Sequence, residues 1–149
     1  MIHYGPNAKV IAEGLLDRSG SALVSGDFDA FLRCFALPHE LATFEGSRKL
    51  QTPADVEATF IGVRDHYEKT GVSEMIRTCV AAEFVTPEHI QSTHVTHLLH
   101  KDHMIQPPFP VFSDLVVVDG KWRILRSNYA VTDAPAHVAA LTGNILEQS

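Results

Sequence analysis

Four histidines, His94, His97, His100 and His103, recur at every third position in a chain that carries nine. On a helix that spacing makes one stripe and a conceivable metal face. On a strand, His94 and His100 share one face while His97 and His103 share the other. Thr93, Val95 and Thr96, with the turn residues Thr86-Pro87 ahead of them, favour the strand. Zinc needs three or four ligands, and no acidic or cysteine partner stands at a supporting spacing, so neither metal nor cofactor is expected. A strand imidazole that faces a pocket can instead move a proton near neutral pH, which makes His100 and His94 candidate catalytic groups. The alternative is that each ring is simply hydrogen-bonded or exposed on a sheet.

Asp114 is the third catalytic candidate. It interrupts the apolar run Val111 to Val118, and a carboxyl among apolar neighbours has its charged form disfavoured, so it could serve as an acid. It could equally pair with Arg123 or Arg126 across a hairpin. By hairpin parity Tyr129, Ser127 and Leu125 share its face, and Tyr129 could offer a phenol to a ligand or merely pack at a rim. These three, with Phe60, form the expected ligand-binding set. Cys79 reads as a small buried hydrophobe. No phosphate loop or nucleophile elbow is present.

The elements that must position these residues follow from periodicity. Asn7 to Ser25 carries a helical stripe, broken at Gly26. Asp27 can cap a second helix with Phe28, Phe31, Leu32 and Phe35 on one face, stopped by Pro38. His39 to Phe44 and Arg48 to Gln51 read as a hairpin. Thr52 can cap a third helix with Pro53 in its first turn and Val56, Phe60, Val63 and Tyr67 as its apolar face. Four strands follow at Met75 to Val85, Ile90 to Lys101, Val111 to Val118 and Lys121 to Ala130. Asp119-Gly120 is a two-residue turn that sets Val118 against Lys121, Val116 against Arg123 and Asp114 against Leu125. Gln106 to Pro110 is expected to stay out of a central ladder, because its prolines lack the N–H donor. Asp133-Ala134-Pro135 opens a terminal helix carrying Val138, Leu141 and Ile145. Helices followed by antiparallel strands define an α+β fold.

The 149 residues suit one domain, 1–149. A chain of this length buries about 70% of its unfolded surface, enough for a core without disulfides. Twelve Lys and Arg against eighteen Asp and Glu give a net charge of −6, the wrong sign for a nucleic-acid or anionic-membrane binder. No apolar run approaches the roughly 18 residues of a membrane span, and the first residues lack a signal-peptide pattern, so a cytoplasmic location is expected.

Ser25-Gly26-Asp27-Phe28-Asp29-Ala30-Phe31-Leu32-Arg33-Cys34-Phe35, the Thr52-Pro53-Ala54-Asp55 helix start and Val118-Asp119-Gly120-Lys121-Trp122-Arg123-Ile124 together resemble the nuclear transport factor 2-like superfamily. That group includes ketosteroid isomerases, scytalone dehydratase and SnoaL-like polyketide cyclases, and the match spans Asn7 to Val131. The resemblance implies a cystatin-like curved antiparallel sheet wrapped around N-terminal helices, a cone with a pocket at its open end. Counted back from Gly120, Asp114 falls where ketosteroid isomerases keep a protonated aspartate. Their general base falls near Thr43 and their first-helix tyrosine at Ser19, so their mechanism is not implied. Similarity to scytalone dehydratase sets His94 and His100 on the pocket side, with His100 at a catalytic histidine. That family's second histidine would fall near Val80.

Two functions follow as expectations. One is cofactor-independent isomerase, dehydratase or cyclase chemistry on a small hydrophobic carbonyl or hydroxyl compound. The other is a non-catalytic pocket or dimerising module. The resemblance also implies a homodimer through the outer sheet face. If Asp114, Val116 and Val118 face the cone, then Leu115, Val117, Trp122 and Ile124 are the patch a second subunit must cover.

Overall fold

The computed structural model describes residues 7–131 and 135–142. Helix α1 (Ala8–Ser25) begins where the Asn7 side chain accepts from the Val10 N–H at 2.9 Å. That satisfies one of the donors a first turn leaves open. It ends at Gly26, whose φ of 81° lets its N–H return to the Ala22 carbonyl. The buried stripe Ala8, Ala12, Leu15, Ser19 and Ala22 is mostly small, so this helix can lie close over a sheet.

Helix α2 (Phe28–Leu32) is capped by Asp27 but is shorter than the phenylalanine stripe predicts. Phe35 already belongs to strand β1 (Phe35–Thr43), opposite Ile124. Pairing across the sheet overrides the local helical pattern, and Pro38 lies inside the strand. Strand β2 (Gly46–Leu50) pairs back on β1. Helix α3 (Pro53–Lys69) opens with a reciprocal cap: the Thr52 hydroxyl accepts from the Asp55 N–H and an Asp55 carboxylate oxygen accepts from the Thr52 N–H, both at 3.2 Å.

Strands β3 (Glu74–Thr86), β4 (His89–His100), β5 (His103–Met104), β6 (Phe109–Val118) and β7 (Lys121–Tyr129) follow, then helix α4 (Pro135–Thr142). The residues expected to open that last helix, Asp133 and Ala134, and its Ile145 lie outside the described residues. Its Leu141 is buried beside Val63, Leu98 and Phe109. The sheet order is β2-β1-β7-β6-β4-β3, with β5 on β4; β1 runs parallel to β7 and the other pairings are antiparallel. Pro110 does enter the ladder, opposite Val95, and its carbonyl accepts from the Ala130 N–H at 3.0 Å. The missing donor excludes only the bond it would have made, so the expected loop is shorter by Phe109 and Pro110.

The Asp119-Gly120 turn has positive φ at both residues, 52° and 77°, as the right-handed twist of a tight hairpin requires. Beyond it, Val118 faces Lys121 and Val116 faces Arg123 as expected. The register then slips. Leu115 pairs with Ile124 but Asp114 pairs with Arg126, so Leu125 is a bulge. The predicted faces are also exchanged. Leu115 and Ile124 pack with Ala8, Ala12 and Leu15 under α1, and Trp122 packs against the same cluster. That patch needs no second subunit to cover it, because the sheet wraps around the helix on this side.

Candidate functional site

Between two apolar clusters, the concave face of the sheet and helices α1 and α3 enclose a cavity of about 90 Å³. Strand pairing arranges its sheet wall in rows. Ile124 and Leu115 make an apolar floor, with Ile90 fully buried beside Leu115 and outside the lining. Above it Ser127, Ser113 and Ser92 stand side by side, all buried. The next row is Thr43, Tyr129, Val111 and His94, of which Tyr129 and His94 line the cavity, and beyond it stand Phe109, Thr96 and Arg77. Three neighbouring serines leave space that larger side chains would fill, and they line that space with hydroxyls. Phe60, Phe31 and Leu15 face them from the helices.

His94 is 7% exposed, yet neither ring nitrogen has a hydrogen-bond partner among the described residues. Burial, helped by the nearby positive Arg77, holds its pKa down to about 3. The ring is therefore a neutral imidazole with one donor and one acceptor turned to the cavity. Burial pushes the Tyr129 phenol pKa up, and its hydroxyl meets Ser127. His39, also in the wall, is held at about 4 by burial, with Nδ1 3.1 Å from the Ile124 carbonyl. Thr59 adds a buried hydroxyl without a partner. Where Tyr67 meets α4, its hydroxyl lies 3.1 Å from His137 Nε2, and the other ring nitrogen of His137 meets Gln106.

The expected site residues separate. His94, Ser127, Tyr129 and Phe60 line the cavity. Asp114 does not. It lies on the outer face, 2.8 Å from His89 Nε2 and 3.8 Å from an Arg126 nitrogen. A carboxylate finds an imidazole and a guanidinium there, whereas its neighbour Leu115 gains by burial. Leu125, as the bulge residue, is not part of the lining. The same bulge turns Ser127 and Tyr129 inward, opposite in facing to Asp114. His100 keeps the parity of His94, but it is exposed at the strand end and donates from Nδ1 to the Gly71 carbonyl. Sequence reasoning passed over Arg77, Ser92, Thr96 and Ser113. The alternation Ser92, His94, Thr96 was visible once His94 was set inward, whereas Arg77 needed the β3–β4 register.

No family model and no curated protein matches the sequence. Solved structures do. An NTF-2-like protein of unknown function from Shewanella oneidensis MR-1 is similar with a TM-score of 0.65 at 15% identity, over 82% of this chain and 98% of that one. A cystatin-like protein from Nostoc punctiforme PCC 73102 gives 0.64 at 16%, over 85% and 92%. An NTF2-like protein from Novosphingobium aromaticivorans gives 0.61 at 17%, over 91% and 89%. The chain is thus an α+β cone with an enclosed polar band. Its fold is the cystatin-like one of the NTF2-like proteins. Among the described residues, no group of three His, Cys, Asp or Glu could hold a metal ion, and no helix is long and apolar enough to cross a membrane.

Proposed function

We propose that the cone binds a small hydrophobic carbonyl or hydroxyl compound, its oxygen held by His94 and Tyr129 and its body on the Ile124–Leu115 floor. The observation that carries this reading is the buried, unpartnered His94 beside the serine row. A buried polar group without a partner is costly, and a ligand oxygen would supply the missing bond. The chemistry best suited to these groups is isomerase, dehydratase or cyclase work in which a neutral imidazole and a phenol polarise an oxygen. No carboxylate is among the described lining residues to act as a base. A second reading, binding without turnover, draws support from the low pKa of His94, which makes it a weak base at pH 7.

Titration with acetophenone, followed by amide NMR shifts, tests the pocket. Shifts should cluster on β4, β6 and β7, and His94→Ala should weaken binding about tenfold, the worth of one buried hydrogen bond. Equal binding by both proteins would remove His94 from the site.

We further propose that the chain pairs with a second copy across the outer sheet face. There Ile76 and Phe112, 42% and 49% exposed, stand where Leu115 and Ile124 were expected.

A further inference from the structure

We infer that the ligand of this cavity is an anion, a small and largely apolar acid whose carboxylate is held by Arg77. The inference rests on the pocket reading above and adds the ligand's charge to it. Arg77 stands on the inner face of β3, opposite Thr96 and diagonal to His94, at the edge of the serine-lined space. Its Nη2 donates to the Ser19 hydroxyl at 3.1 Å and to the Leu16 carbonyl, which seats the guanidinium against α1. Gly20 makes room for that seat: a Cβ there would lie 2.6 Å from Nη2.

Those contacts use one nitrogen of a group with five N–H donors. No described carboxylate forms an ion pair with Arg77, although acidic residues exceed basic ones by six in this chain. On the outer face Arg126 meets Asp114 and Glu40, and Asp114 meets His89. Arg77 is a mostly buried cation with no ion pair among the described residues, Asp17 of α1 acting on it only from beyond ion-pair distance, and removing a charge from water unpaired is expensive. Its neighbours in the cavity are the hydroxyls of Thr96, Ser92, Ser113 and Tyr129 and the imidazole of His94, each able to donate a hydrogen bond. A wall of donors around one cation, with no carboxylate, is the complement of an acceptor-only anion. The planar fork of guanidinium matches a carboxylate, and the apolar floor takes the rest of a monoanion.

Benzoate and benzamide test this directly, since they share shape and differ in charge. Titrated into the intact protein by calorimetry at pH 7.5 and low salt, benzoate should bind at least tenfold tighter than benzamide. Arg77→Gln should abolish that preference, and Arg77→Lys should retain part of it. If Arg77→Gln does not fold, the wild-type pair and Arg77→Lys still decide. Benzamide binding as tightly as benzoate would overturn the anion and leave the pocket standing. Binding of neither compound, with no shifts around His94, would overturn both.

Discussion

Two rows of polar side chains, one on each face of the sheet, are treated in opposite ways. On the outer face Asp114, Arg126 and Glu40 stand in register across two strand pairings, His89 lies diagonal to Asp114, and the four form a chain of contacts. On the inner face His94, Ser92 and Ser113 are more deeply buried and have no hydrogen-bond partners in the described protein. Polar groups that the protein satisfies itself are accounted for by folding. Those that it leaves unmet beside a cavity are open to something that binds, and that difference separates Asp114 from His94 better than their sequence contexts do.

The largest effect expected from this contrast is on stability. His39, His94 and His137 are buried with pKa values near 4, 3 and 3, against 6.5 when unfolded. The unfolded chain therefore binds protons that the folded chain refuses. Their contribution is full above pH 6.5 and is lost as pH falls toward 4, at about 1.4 kcal/mol per pH unit for each ring. Urea midpoints at pH 7 and pH 5 should differ strongly, and His94→Gln should flatten the slope by one proton. An unchanged slope in that variant would mean that His94 is already protonated in the fold, and the contrast between faces would fail.

Next in size is the cavity itself. Ser113→Leu places a bulky side chain in the middle of the serine row, between Ser92 and Ser127. Overpacking costs about 1–3 kcal/mol, so the protein should still fold. Benzoate binding should fall more than tenfold, because the added carbons occupy the space the ligand needs. Retained affinity would place the ligand elsewhere. On the outer face, Phe112→Glu should convert a dimer to a folded monomer by light scattering; a wild-type monomer would refute the pairing.

Much of the architecture was legible from caps and turns. Asp27, Thr52 and Asp119-Gly120 act through local hydrogen bonds and backbone angles, so the chain announces them without knowing its neighbours. The site was legible only in part. His94, Ser127, Tyr129 and Phe60 were named, but Asp114 was set on the wrong face and Arg77 was not seen. Alternation divides a strand into two sets, and it does not say which set faces in. Leu125 compounds this, since one extra residue reverses the facing of everything beyond it. Whether a strand bulges depends on the curvature that the whole sheet takes around its helices, which no short window contains.

The smallest effect should come from Asp114, the residue whose sequence context marked it most clearly. Its partners are well exposed, with side-chain exposures of 31% for His89 and 52% for Arg126. Exposed ion pairs contribute about 0–1 kcal/mol, because water already solvates both charges and long side chains lose freedom when they pair. Asp114→Asn keeps the shape and removes the charge. It should shift stability by less than about 1 kcal/mol, diminish further in high salt, and leave benzoate affinity unchanged. His94→Ala should do the reverse, costing ligand affinity about tenfold while outer-face pairing is untouched. If Asp114→Asn weakened benzoate binding as much as His94→Ala does, the outer row would be coupled to the cavity through β6. The division between self-satisfied and ligand-satisfied polar groups would then no longer separate these two rows.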